Sequence, residues 1–395
     1  MRLIPSLFRN SSSHKASNSH KASNSHKAAK RNTRRFQARS ATSAIVLGTL
    51  ALPFISLSAI TFADPISTPY ADRSDVQAFI SDAVKKDKLN RAELVTLFKS
   101  ASRQQSIIDS ISKPAERTLT WADYRRIFIT EKRINGGVEF YRTYQKALER
   151  AAHQYGVPAE MIVAIIGVET SYGANKGNYR VIDALSTLSF DYPARAPFFT
   201  RQLHEYLLLG REANIDLSTA TGSYAGAMGF PQFMPSSYRN YAVDFDGDHK
   251  IDLINNPVDA IGSVGNYLKG HGWKNGEGVA LSATYSGKNH SNKNHSDKNA
   301  ATGPQNGPSP QLKKLLNASN KPTVSANQLK SLGLISSSPL ATSTLTNPMS
   351  MEGSDGTEYW IGLNNFYVIT RYNNSSMYAL AAWQLSQDVK RSLQN

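Results

Sequence analysis

The 395-residue chain contains no cysteine. Disulfide staples, a thiol nucleophile and the lipid-accepting residue of a lipoprotein signal are therefore excluded. Export is not, because a chain of this length can draw its stability from its core. Nor is there a cluster of His and Cys with ligand spacing, which argues against zinc. Acidic residues are missing from residues 1–63, where ten Lys/Arg stand without one Asp or Glu, so residues 64–395 carry 35 basic against 30 acidic groups. The net charge of +15 thus sits mostly in the leader, and the excess in the remainder is a weak argument for a nucleic-acid partner. Charge of either sign is missing from ATSAIVLGTLALPFISLSAITFA, residues 41–63, which follows the basic run HKASNSHKASNSHKAAKRNTRRFQAR. That order predicts an export signal removed after Ala59 or Ala63 and a periplasmic protein; the alternative is an uncleaved inner-membrane anchor through residues 41–63. The SHKASN repeat has only its composition to interpret and reads as a disordered extension.

What is present is enough for a core. A 40% hydrophobic composition excludes disorder throughout. SDVQAFISDAVKKDKLNRAELVTLFKSA and GGVEFYRTYQKALERAAHQYG place apolar residues three and four apart, with Asp and Asn at helix starts and Gly156 as a stop. AEMIVAIIGVET has too many apolar residues for one exposed side and predicts a central helix buried on most faces. Further helices are expected at 199–212, after a glycine-rich loop within 224–241, and at 257–270. Residues 286–310 contain almost nothing to bury and predict a flexible polar insertion. EYWIGLNNFYVITRY is rich enough in aromatic and branched residues for a strand or two, before a closing helix in MYALAAWQLSQDVKRSLQ. The expected organisation is a leader at 1–63 and one folded unit at 64–395, interrupted by the insertion.

Glu169 ends the apolar run of the central helix. Aliphatic walls and a helix C-terminus would both favour its acid form, as a general acid requires. A solvated glutamate at a helix end explains the same segment equally well. VDFDGDHKIDLINNPVD places Asp244, Asp246, Asp248 and Asp252 at loop positions one, three, five and nine, with the carbonyl of Lys250 at seven, a pattern of hard oxygen ligands that suits calcium. Against an EF-hand, His249 replaces the glycine at position six and Asn255 the glutamate at position twelve.

Five stretches in order, IIGVETSYG (165–173), ALSTLSFDYPAR (184–195), GSYAGAMGFPQFMPSSY (222–238), NNPVDAIGSVGNYLKGHGW (255–273) and YWIGLNNFYVITRYNNSSMYALAAWQL (359–385), resemble the membrane-bound lytic murein transglycosylase B family. The resemblance covers roughly residues 70–390 without the polar insertion. It implies a mainly α, lysozyme-like helical catalytic core with a small β-containing lobe. It also implies non-hydrolytic cleavage of the MurNAc-β-1,4-GlcNAc bond of peptidoglycan glycan strands, leaving 1,6-anhydroMurNAc ends. Glu169 would be the single catalytic acid/base. Ser223 would orient the N-acetyl region, and Gln232 would line the cleft. Asn373 would hydrogen-bond in the active site, with Tyr372, Tyr378 and Tyr124 as cleft aromatics. In YPARAPFF one arginine stands where the family has two, so Arg195 would carry contacts to the peptide carboxylate or lactyl group alone, and Phe198 keeps a ring without a hydroxyl. The family also carries a calcium loop here, its late acidic ligand matching Asp259, which makes the loop 244–259 a structural Ca2+ site; no cofactor is expected for catalysis.

Asp183 and Asp191 are the candidates for a second carboxylate, and each fits a plainer role, a helix cap and a turn. Two other functions compete: a lysozyme-type hydrolase with a second carboxylate, and a non-catalytic glycan-binding scaffold, which would not need Glu169.

Overall fold

The computed structural model describes residues 68–112, 119–286 and 307–395. The expected leader and signal at 1–63 and residues 287–306 of the polar insertion lie outside the described residues. Among the described residues no helix is long and apolar enough to cross a membrane.

The periodic segments fold as helices with local reasons for their ends. Helices Ser74–Asp87 and Arg91–Ser100 are separated by Asn90, whose side chain accepts from the Ala92 and Glu93 N–H groups. Thr120 caps Trp121–Phe128 and Thr130 caps Glu131–Thr143 in the same way. The long stretch that follows is two helices, because the chain breaks at Tyr144 before Gln145–Tyr155 and stops at the left-handed Gly156. The central helix, Ala159–Thr170, buries every residue except Glu160 and Glu169. It packs against Glu131–Thr143, Pro257–Gly270 and the closing helix Ser376–Gln394. Ile162, Val163, Ile165 and Ile166 have no exposed surface, and burial of each stabilises the fold by about 1.5–3 kcal/mol. Helices Val181–Phe190 and Ala196–Ala213 pack on each other beside this core.

The described strands are β1 (Tyr179–Arg180), β2 (Thr221–Gly222), β3 (Ala280–Tyr285), β4 (Val324–Ser325), β5 (Leu334–Ser336), β6 (Leu345–Gly353) and β7 (Gly356–Gly362). β1 and β2 pair alone; the other five form an antiparallel sheet in the order β4-β6-β7-β3-β5. Alternation sorts the two faces of this sheet. Met349 and Met351 of β6 join the main core, while Ile361 of β7 joins a small cluster with Leu312, Val324, Leu329 and Leu334. The fold is therefore mainly α with a small antiparallel lobe.

One expectation is corrected. EYWIGLNNFYVITRY is a strand only to Gly362, and Asn364–Tyr372 is a helix. Phe366, Ile369 and Tyr372, three apart, all turn into the core, and that burial overrides the strand preference of aromatic and branched side chains.

Candidate active site

Glu169 occupies the last turn of the central helix, half-buried beyond a run of buried aliphatic side chains. The helix stops because Ser171, Tyr172 and Gly173 all take left-handed φ values of 50°, 62° and 92°. Gly173 is required, since a Cβ there would lie 2.1 Å from Phe230 Cε1. Thr170 fastens the turn: its hydroxyl donates to the Phe230 carbonyl at 3.0 Å and accepts from the Gly173 N–H at 3.0 Å.

The start of the closing helix supplies the partner of the carboxylate. Tyr378 donates its hydroxyl to Glu169 Oε1 at 2.6 Å. Burial first, and the Glu169 carboxylate second, push this phenol well above the usual tyrosine value, so it remains a donor. Tyr372 stacks on Tyr378 with centroids 6.5 Å apart and donates to the Pro231 carbonyl at 2.5 Å. Behind it, Tyr267 and Phe233 pack on the Tyr372 ring. Tyr124 is buried next to Phe128 and close enough to Tyr378 to influence its phenol. Asn373, 4% exposed, presents an Oδ1 with no partner among the described residues.

The loop from Gly222 to Phe233 forms another wall. Ser223 Oγ accepts from the Ala225 and Ala227 N–H groups, which leaves its hydrogen as the group's donor. Gln232 holds a left-handed φ of 49°, and its amide nitrogen donates to the carbonyls of Lys176 and Gly229. Two carbonyls at one end of the amide fix its orientation and turn Oε1 away from them. Arg195 lies over the rings of Phe198 and Phe199 at 4.7 and 5.3 Å, near Tyr192 and Tyr224; burial lowers its affinity for the proton.

The two carboxylates considered as partners of Glu169 are engaged elsewhere. Asp183 does not cap its own helix; it accepts from the Ser102 N–H and pairs with Arg180. Asp191 accepts from Tyr70 at 2.5 Å and Arg73 at 2.6 Å.

The acidic loop brings three of its expected ligands together. Asp244, Asp246 and Asp259 bring carboxylate oxygens within 4.8 Å of one another, the only such cluster among the described residues. All five aspartates also accept from backbone N–H groups: Asp244 from Gly247 and His249, Asp246 from Asp248, Asp248 from Lys250, Asp252 from Ile254 and Asn255, and Asp259 from Phe245 and Asp252. His249 takes the left-handed φ of 66° that glycine serves at position six of an EF-hand. Asp259 is fully buried, and its carboxyl is raised first by desolvation and then by Asp246 and Asp244. Three crowded, partly desolvated carboxylates suit a hard divalent cation.

A mainly helical core around the Glu169 turn, with a small antiparallel lobe, is the lysozyme-like transglycosylase fold. The model of the transglycosylase SLT domain matches residues 71–387. The membrane-bound lytic murein transglycosylase B of Escherichia coli (strain K12) is 41% identical over 329 residues, 81% of this chain and 84% of that one. Among solved structures, the soluble lytic transglycosylase SltB1 from Pseudomonas aeruginosa is 46% identical with a TM-score of 0.71, covering 81% of this chain and all of that one. The Escherichia coli lytic transglycosylase Slt35 in complex with calcium is 40% identical with a TM-score of 0.70, covering 83% and 95%. The chain belongs to the membrane-bound lytic murein transglycosylase family, and it is a lytic transglycosylase acting on peptidoglycan glycan strands.

Proposed function

We propose that Glu169 alone serves as acid and then base in this cleavage. The observation that carries the reading is the bond from buried Tyr378 to the half-buried Glu169, while Asp183 and Asp191 are paired with arginines. Protonated Glu169 gives its proton to the glycosidic oxygen, the C1–O bond breaks and GlcNAc leaves. The N-acetyl group of MurNAc stabilises the positive charge at C1. The Glu169 carboxylate, held by the Tyr378 hydroxyl, takes the proton of the C6 hydroxyl as O6 closes on C1. Nucleophile and electrophile belong to one sugar, so proximity replaces a second protein carboxylate. Ser223 donates to the N-acetyl region, Gln232 and Asn373 offer polar contacts in the cleft, and Tyr124, Tyr372 and Tyr378 form its aromatic wall. Arg195, with Phe198 beneath its guanidinium, meets the lactyl or peptide carboxylate.

Digestion of purified sacculi in ¹⁸O-labelled water tests the mechanism: products ending in unlabelled 1,6-anhydroMurNAc support it, and labelled reducing ends favour the lysozyme-type alternative. The same reading places the enzyme in the periplasm, exported by residues 1–63, and gives the loop 244–259 a structural calcium ion held by Asp244, Asp246 and Asp259. Fractionation with N-terminal sequencing distinguishes removal near Ala59 or Ala63 from a retained anchor.

A further inference from the structure

Gly229–Gln232 passes between the Glu169 turn and the exit of the acidic loop, and it is tied to both. On one side the Phe230 carbonyl accepts from Thr170, the residue after Glu169. On the other the Phe230 N–H donates to the Leu253 carbonyl at 2.8 Å. Gly229 lies so near that carbonyl that a Cβ would stand 2.1 Å from it. One side chain closes this arrangement. Lys176 donates from Nζ to the Ile254 carbonyl at 2.6 Å, its ammonium lies 4.8 Å from the Phe230 ring centroid, and its own carbonyl accepts from Gln232 Nε2 at 3.1 Å.

The backbone on either side of Lys176 has ties of its own: the Asn175 N–H donates to the Thr170 carbonyl at 2.9 Å, and Gly177 lies so close to the Gly222 backbone that a Cβ would stand 2.1 Å from it. Ala174, Asn175, Gly177 and Asn178 are exposed, and Gly177 has a φ of 90°. The lysine is half-buried, with its charge against a carbonyl and an aromatic face. Both contacts are stronger for a cation than for a neutral group. They add to these ties on the lysine, whose backbone carbonyl is one of the two that orient the Gln232 amide. Gln232 needs such support because a left-handed φ is costly for a residue with a side chain.

We propose that Lys176 is a positioning residue for the cleavage reaction: its ammonium fixes the backbone carbonyl that aims the Gln232 side chain at the glycan. The inference rests on the proposed role of Gln232 as a substrate contact. It requires that loss of the ammonium disturb glycan binding more than the acid/base step at Glu169.

The test is steady-state kinetics on a defined GlcNAc–MurNAc oligomer, with melting temperatures measured alongside. Lys176→Met keeps the apolar stem and removes the charge; KM is expected to rise about five- to tenfold, with kcat changed less than about twofold. Lys176→Arg, which keeps a cation, restores KM. Gln232→Ala raises KM at least as much, and the double variant is no worse than Gln232→Ala alone, because the two residues act through one contact. If Gln232→Ala raises KM and Lys176→Met leaves it unchanged, the positioning role is overturned while the reading of Gln232 stands. If Gln232→Ala leaves KM unchanged, both are overturned. A Lys176→Met protein that loses stability at unchanged KM, or fails to fold while Lys176→Gln folds with unchanged KM, marks the lysine as a stability residue and overturns the proposal.

Discussion

Tyr378 and Glu169, 209 positions apart in the chain, are joined by a 2.6 Å hydrogen bond at the end of the central helix. The bond has two consequences. Because burial keeps the phenol protonated, it orients one carboxylate oxygen at every pH the enzyme meets. Because a donor favours the anion, it steadies Glu169 after its proton has gone to the glycosidic oxygen.

Glu169→Gln keeps size and hydrogen bonding but can neither give nor take the proton. Activity on sacculi is expected to fall by at least about 10² to 10⁴, the usual contribution of general acid/base catalysis, at an unchanged melting temperature. Tyr378→Phe is expected to lose less, about ten- to hundredfold, as befits one hydrogen bond to a charged group. Equal losses in the two variants would show that the phenol takes part in the chemistry itself.

Alkaline pH should unfold the protein rather than ionise its tyrosines in place. Tyr70, Tyr206, Tyr267, Tyr372 and Tyr378 are all raised above the ordinary value, chiefly by burial. A raised folded-state value means that their contribution to stability is complete below about pH 10 and is lost as pH climbs above it. Absorbance of tyrosinate should therefore rise in two stages, first the exposed rings and then a step coinciding with loss of helical circular dichroism. A single smooth titration with the helices intact would refute this.

Calcium should raise the melting temperature. Binding to the folded state alone contributes about 2.7 kcal/mol at a hundredfold excess over the dissociation constant. Asp244→Asn and Asp259→Asn are expected to abolish most of the shift, whereas Asp248→Asn, outside the cluster of Asp244, Asp246 and Asp259, retains much of it. Melting curves with calcium and with a chelator decide the matter; equal curves for the wild type reject the cation.

Gly229→Ala should destabilise the fold by at least about 1–3 kcal/mol, the cost of a left-handed residue with a side chain. The contact with the Leu253 carbonyl adds to this. Urea denaturation measures it. A change within error would mean that the two loops part more easily than their 2.8 Å backbone bond implies.

The sequence made local features legible and distant ones illegible. The central helix could be read because its apolar run leaves only Glu160 and Glu169 for the edge of the core. The helices at 74–100 could be read because Asn90 is a recognisable cap. Periodicity says nothing about which helix meets which; resemblance to a family put Tyr378 in the cleft, and its bond to Glu169 was not legible at all. NNFYVITRY looked like a strand because its composition is that of a strand, while its helical spacing became decisive only once a core was there to receive Phe366 and Ile369. Asp183 seemed a cap, yet Ser102 and Arg180 claim it from either side. In the acidic loop, alternate spacing marked the aspartates but could not show which converge: Asp244 and Asp246 meet Asp259 from the first turn of the next helix.

The closing helix has a bearing on biosynthesis. Its first turn carries Tyr378, and its length completes the wall behind the central helix. A ribosome making this chain finishes the segment bearing Glu169 long before residue 378 exists. Contacts of such wide sequence separation are slow to form, so a partly synthesised chain has the acidic group without its Tyr378 partner. Until residue 378 has joined the fold, Glu169 lacks the hydroxyl that orients its Oε1.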